Sequence, residues 1–234
     1  DLEPFFNKNG FIETLNLSGN SIKDEGFILL CKALYDNKYL QNLNISNNDI
    51  RNQGLTQGLS LIFTCKLISL NISQNKLLDS GIKILSNSLK YFPNLQELNI
   101  SNCDFEFNGF EYLLQILSTY KNISSLNVSG NEIKHKNFES LKPYFETMTI
   151  RNLNLSKCSL GNEATYILGD SISKNENLSK LNISSNKISD KGFRSFINLF
   201  SHNSNIESFD CSQNLITDLS AINFVKNIKS EFIR

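Results

Sequence analysis

Tryptophan is absent from the 234 residues, methionine occurs once, histidine twice and proline three times. His135 and His202 stand too far apart in the chain to build a metal or acid–base centre, so His135 reads as a solvated loop residue. The five cysteines, Cys31, Cys65, Cys103, Cys158 and Cys211, are odd in number and form no CxxC or CxxxxC pair. That spacing argues against both a zinc site and a disulfide framework. Charge of either sign is not in surplus: 23 basic and 23 acidic residues cancel, where a nucleic-acid binder ordinarily carries a basic stripe. No apolar run approaches the roughly 18 residues of a membrane span. There is no Ser-His-Asp set, no phosphate-cradling glycine loop and no metal cluster, so neither an enzyme nor a cofactor is expected. The sequence opens on Asp1, so the lack of a leader carries no information.

Asparagine, by contrast, occurs 34 times, a bias common in AT-rich genomes. Much of it belongs to one octet written eight times: LNLSGNSI at 15–22, LNISNNDI at 43–50, LNISQNKL at 70–77, LNISNCDF at 98–105, LNVSGNEI at 126–133, LNLSKCSL at 153–160, LNISSNKI at 181–188 and the worn FDCSQNLI at 209–216. The lead positions Leu15, Leu43, Leu70, Leu98, Leu126, Leu153, Leu181 and Phe209 are 27 or 28 residues apart. A fixed period of that size signals a solenoid. Apolar residues stand three before and two after each lead, and five after it comes Asn20, Asn48, Asn75, Cys103, Asn131, Cys158, Asn186 or Asn214. This is the LxxLxLxxN/C pattern of leucine-rich repeats. In the second half of each repeat a small residue (Gly26, Gly54, Gly81, Gly109, Ala164, Gly192, Ser220; Asn137 is the exception) precedes apolar residues at helical spacing, such as Ile82, Leu85 and Leu89.

A helix in every 27/28-residue repeat resembles the ribonuclease-inhibitor-like subfamily of leucine-rich repeats, over residues 12 to about 230. The resemblance implies an α/β solenoid, a right-handed β-α superhelix with a curved parallel sheet inside and helices outside. It implies a single leucine-rich-repeat domain over 1–234, and a protein that binds other proteins. Members include ribonuclease inhibitors, Ran GTPase-activating proteins, innate-immune receptors, tropomodulin-like actin regulators and ciliary scaffolds. The expected function is a non-enzymatic scaffold in the cytoplasm, of cytoskeleton or cilium. The alternative is a Ran-type GTPase-activating protein, with Arg51 in a post-strand loop approaching a nucleotide. No family catalytic motif matches residue by residue, and the acidic tail of that family is missing.

The turn column, Asn20 through Asn214, is expected to point inward and satisfy buried backbone groups, with Cys103 and Cys158 as weaker donors in the same slot. The second letters, Asn16, Asn44, Asn71, Asn99, Asn127, Asn154, Asn182 and Asp210, and the serines two later should face outward. At the roughly 4.8 Å strand spacing those amides are expected to bond to one another. The N-x-S sequons this creates read as accidents of the repeat, because glycans on every strand would crowd the sheet. Recognition is then left to the variable loop charges, with Asp49, Arg51, Glu132 and Lys134 as the candidate protein-binding residues. Pro143 should kink or shorten the fifth helix, and Gly58 should thin the core of the second repeat. Residues 2–15 echo 141–153, and no polar capping repeat stands at either end. The chain is therefore expected to be part of a longer protein or of a larger assembly, with partners that are other proteins, not nucleic acid or membrane.

Overall fold

The computed structural model describes residues 11–134, 137–202 and 205–227. Its repeats group into two compact units, Asp1–Asn127 and Val128–Arg234. In the first, β1 (Thr14–Asn16), α1 (Lys23–Ala33), β2 (Asn42–Asn44), α2 (Asn52–Gly58), β3 (Ser69–Asn71), α3 (Leu78–Ser88), β4 (Glu97–Asn99), α4 (Phe107–Thr119) and β5 (Ser125–Asn127) alternate. In the second, α5 (Lys142–Thr147), β6 (Asn152–Asn154), α6 (Gly161–Ile172), β7 (Lys180–Asn182), α7 (Asp190–His202), β8 (Ser208–Asp210) and α8 (Asp218–Asn227) do the same. Strands pair in parallel with the lead residues opposite one another: Leu15, Leu43, Leu70, Leu98 and Leu126 in the first unit, Leu153, Leu181 and Phe209 in the second. The expected α/β leucine-rich-repeat solenoid is the observed fold.

Each strand is three residues long and could not stand alone, so the repeat is held by bonds to its neighbours. One carbonyl per repeat accepts two successive N–H groups from the next: Glu13 takes Gln41 and Asn42, Gln41 takes Ile68 and Ser69, and Ser179 takes Glu207 and Ser208, at 2.7 to 3.1 Å. Past the strand the backbone turns through the left-handed region four residues after every lead, at Gly19, Asn47, Gln74, Asn102, Gly130, Lys157, Ser185 and Gln213, with φ between 51° and 72°. Glycine occupies that column only twice, so the other six residues adopt a conformation L side chains disfavour.

The small column has a steric cause. A Cβ on Gly54 would lie 2.6 Å from Asp24 Oδ1, on Gly81 2.8 Å from Asn52 Oδ1, on Gly109 2.6 Å from Asp79 Oδ1, and on Gly192 2.8 Å from Asn162 Oδ1. Three of these side chains also staple the next repeat: Asp24 accepts from the N–H of Arg51 (2.6 Å), Asp79 from Glu106 (2.7 Å) and Asn162 from Ser189 (2.8 Å). The helices then bury one face, with Phe27, Leu55, Leu85, Leu113, Leu168 and Phe196 wholly enclosed beside strand residues such as Leu43, Ile72 and Ile183. Each contributes about 1.5–3 kcal/mol of apolar burial.

The fifth repeat departs as Pro143 requires. A 3-10 turn, Phe138–Leu141, is followed by a helix of only 6 residues with the proline in its first turn, where no intrahelical donor is missed. Gly58 does not thin the core as expected. A Cβ there would meet Phe27 Cε1 at 2.9 Å and Cys31 Sγ at 3.0 Å, so the vacated space is filled from the preceding helix. His135 lies outside the described residues.

Candidate protein-interaction surface

Six members of the turn column, Asn48, Asn75, Cys103, Asn131, Cys158 and Asn186, are buried. Asn75, fully buried, accepts from the N–H groups of Asn48 (3.0 Å) and Ile50 (2.9 Å) and donates to the carbonyls of Ile45 (3.0 Å), Ile72 (2.9 Å) and Ser73 (3.2 Å). Asn186 repeats the set with Cys158, Leu160, Leu155, Ile183 and Ser184. Cys103 and Cys158 fill the slot more softly: their thiols donate to Ile72 and Val128 carbonyls at 3.6 and 3.5 Å. Burial pushes both thiols, and that of Cys65, up to about 12, so they are neither nucleophiles nor redox centres at physiological pH. Asn131 donates to Val128, and Asn214 to Ile183 and Cys211. Asn20 is the exposed member, donating among the described residues to the carbonyls of Leu17 and Ser18.

The outward amides behave differently from expectation. Asn16, Asn44, Asn71, Asn99, Asn154, Asn182 and Asp210 each turn an oxygen back to the N–H two residues on, at 2.9 to 3.1 Å. The strand ends at this residue, so a local Asx turn satisfies the departing backbone before a neighbouring amide can. A cross-strand bond falls in the column before the lead, from Asn42 Nδ2 to Thr14 Oγ1 at 3.2 Å. Of the following serines, Ser46, Ser73 and Ser101 are buried rather than outward, Ser129, Ser156 and Ser184 are half-buried, and Ser18 and Ser212 are exposed. What the strands show to solvent is a half-buried row of amides with two exposed charges, Glu97 and Lys180.

The four residues singled out from the sequence are all exposed. Asp49 and Arg51 lie in the β2–α2 loop of the first unit, and Glu132 and Lys134 follow β5 in the second. Asp49 is itself left-handed, with φ 55°. Arg51 makes no ion pair among the described residues, whereas the next loop charges along, Lys76 and Asp104, pair at 3.3 Å.

Sequence reasoning missed a second surface. In the segments that lead into the first three strands Phe11 and Tyr39 pack ring to ring at 5.0 Å, and Tyr35 meets Phe63 edge-on at 5.9 Å. Phe11 is 76% exposed and the other three about half. Aromatic residues held rigid by one another yet open to water are the type that anchors protein interfaces. The signal available was their recurrence: Phe11 and Tyr39 share one repeat position, and Tyr35 and Phe63 another. On the helical side of the second unit, a groove of ≈ 660 Å³ is lined by Asn162, Glu163, Tyr166, Ile167, Lys191 and Arg194. No helix among the described residues is long and apolar enough to cross a membrane, and no group of three metal-ligating side chains occurs among them.

Known proteins bear on the repeats. A family model described as Leucine Rich repeat matches residues 8–31, 36–56 and 174–196, and a second, Leucine Rich Repeat, matches 94–115. The chain carries leucine-rich repeats. No curated protein matches it. Among solved structures it is similar to one described as Leiomodin-1 Actin-Binding Site 2 (ABS2), at 17% identity and TM-score 0.50, over 61% of this chain and 84% of that one. It is also similar to one described as a tropomodulin C-terminal domain from Caenorhabditis elegans, at 17% identity and TM-score 0.47, over 62% and 94%. The leiomodin likeness is one of fold.

Proposed function

We propose that this chain is a non-enzymatic protein-binding scaffold of the ribonuclease-inhibitor-like subfamily, working in the cytoplasm on the cytoskeleton. The observation that carries the reading is the pair of exposed aromatic contacts, Phe11–Tyr39 and Tyr35–Phe63. A scaffold needs preformed anchors, and rings already fixed by a neighbour lose little conformational entropy on binding. The charged loop residues Asp49 and Arg51, and in the second unit Glu132 and Lys134, follow their strands rather than precede them, so they are contacts separate from the rings, where charge sets specificity and on-rate more than affinity. The strand amides contribute least, since their oxygens already serve the turns beside them.

Fold likeness to a structure described as an actin-binding site makes actin the first partner to assay. The fold likeness does not favour the GTPase-activating alternative that Arg51 suggested. The test is cosedimentation with filamentous actin and anisotropy with monomeric actin. It compares the native chain, a Tyr35→Ala/Tyr39→Ala/Phe63→Ala variant and a loop variant with Asp49→Lys, Arg51→Glu, Glu132→Lys and Lys134→Glu. The reading expects binding that falls at least tenfold in the aromatic variant and several-fold, salt-dependently, in the loop variant. No binding by the native chain rejects actin, and equal binding by all three rejects the aromatic surface.

A further inference from the structure

The groove on the helical side of the second unit takes Asn162, Glu163, Tyr166 and Ile167 from α6 and Lys191 and Arg194 from α7. The described helices α5 and α8 stand before and after this pair, so the groove is a flank of successive repeats and not an end of the solenoid. Buried contacts tie its two helices together. Ser195, 2% exposed, donates its hydroxyl to the Thr165 carbonyl at 3.2 Å, and a Cβ on Gly169 would collide with that serine. Farther along, a Cβ on Gly192 would lie 2.8 Å from Asn162 Oδ1, which also accepts the N–H (2.8 Å) and the hydroxyl (3.1 Å) of Ser189. Walls joined this closely keep one shape before anything binds, which lowers the entropic cost of binding.

The repeat does not dictate what lines the α7 wall. Lys191 and Arg194 stand ten and thirteen residues after the lead Leu181, and no other repeat has a basic residue at both positions; the fourth has Asn108 and Glu111, the sixth Glu163 and Tyr166. Three apart on a helix, the two cations share a face with Cβ atoms about 5–6 Å apart. Both are exposed, and neither makes an ion pair among the described residues. Asp190, one turn before Arg194, has its carboxylate engaged by the N–H (2.9 Å) and hydroxyl (2.7 Å) of Thr217. Other lysines of this unit are matched, Lys142 with Asp170 at 2.7 Å and Lys174 with Glu146 at 2.8 Å. The α6 wall supplies an apolar surface, with Tyr166 54% exposed and Ile167 half-buried, and the one carboxylate of the lining, Glu163.

We propose that this groove binds an acidic peptide segment of a partner protein, one in which two adjacent carboxylates are followed by an apolar side chain. The carboxylates meet Lys191 and Arg194, whose planar guanidinium can take one of them by two parallel bonds. The apolar side chain lies on Tyr166 and Ile167 and excludes water from the charge pairs beside it. Glu163 repels carboxylates from the α6 wall, so the segment lies one way round. A peptide suits this lining better than a phosphate ligand, because a phosphate would meet Glu163 and leave the apolar surface uncovered. The site is in the other unit from the exposed rings, and the proposal stands whether or not those rings bind actin.

The experiment is fluorescence anisotropy of the native 234-residue chain with a fluorescein-labelled peptide, Glu-Glu-Leu repeated three times and capped at both ends. One control peptide replaces leucine by serine and a second replaces glutamate by lysine. The variants are Lys191→Glu/Arg194→Glu, Tyr166→Ala, Glu163→Gln and, as a control of equal charge change on α1 and α3, Lys32→Glu/Lys83→Glu; all these positions are exposed, and circular-dichroism melts check that each variant folds. Binding of the Glu-Glu-Leu peptide is expected to fall at least about tenfold in Lys191→Glu/Arg194→Glu and to stay within about twofold in Lys32→Glu/Lys83→Glu. It should weaken several-fold in Tyr166→Ala and tighten in Glu163→Gln. The serine peptide should bind several-fold more weakly, and the lysine peptide not at all. No saturable binding by the native chain at the highest attainable concentration overturns the proposal. Equal losses in the two charge-reversed variants overturn it as well, since they would mark attraction by net charge alone. Tripolyphosphate that displaces the labelled peptide as readily as the unlabelled peptide does would make the groove a general anion site and overturn it equally.

Discussion

Replacing Asn75 by alanine removes five hydrogen bonds from a side chain with no exposed surface. Two of them are the sole acceptor contacts of the N–H groups of Asn48 and Ile50, so two buried donors are orphaned. At about 1–3 kcal/mol for each unsatisfied buried group, and allowing for relaxation, the expected loss is ~2–5 kcal/mol. That is a large part of the 5–15 kcal/mol typical of a folded domain. Asn20→Ala is the internal control: the same residue type in the same repeat position, exposed and making bonds of 2.9 and 3.3 Å to Leu17 and Ser18. It should cost under about 1 kcal/mol. Asn75→Cys should fall between, because a thiol fills this slot in two other repeats. The assay is urea unfolding with the slope held common to all variants. Equal losses for Asn75→Ala and Asn20→Ala would refute the claim that burial gives the column its weight, and so would Asn75→Cys matching Asn75→Ala.

Lys157→Gly should raise stability by about 1 kcal/mol, because Lys157 is exposed and held at φ 56°, a conformation glycine adopts without strain; an unchanged thermal midpoint would contradict this. Gly54→Ala should cost ~1–3 kcal/mol through contact with Asp24, and combining it with Asp24→Ala should cost less than the sum of the two by about 0.5–2 kcal/mol, measured in a double-mutant cycle. Folded thiols of Cys65, Cys103 and Cys158 stay protonated to about 12 while unfolded ones ionise at the ordinary 9.0, so the folded state holds more protons between those values. Stability should therefore be fully present below pH 9 and fall as pH climbs above it, and Cys103→Asn should flatten that fall in urea midpoints taken from pH 7 to 10.5 while costing little at pH 7. Thiol labelling of the folded chain at pH 8 should reach Cys211, which is only half-buried, well before the other four.

The period, the inward leucines and the turn column were legible in the sequence because burial recurs at a fixed place in each repeat, and one residue type serves it. The left-handed column was not, since Gly19, Asn47, Gln74, Lys157 and Ser185 share a backbone conformation and no side-chain chemistry. The staple could have been read. Asp24, Asn52, Asp79 and Asn162 each precede a repeat whose small residue is glycine, while Phe107 and His135 precede Asn137 and Ala164. The Oδ1 that these Asp and Asn side chains aim at the next repeat leaves no room for a Cβ there, and Asp190, which precedes Ser220, is the exception. The outward amides were misjudged because strand alternation was extended past the strand's last residue, where the Asx turn takes over. The exposed rings of Tyr35, Tyr39 and Phe63 fall in helix-to-strand connections, and neither helical nor strand periodicity assigns a facing there.

The division of the surface into structural amides and recognition rings is tested most directly by amide hydrogen exchange of the native chain with and without saturating actin. The account predicts added protection in the segments around Tyr35–Tyr39 and Phe63, a smaller gain in the Asp49–Arg51 loop, and none in the strands at Leu70 and Leu98. Protection confined to those strands, or no change at any segment, would contradict it.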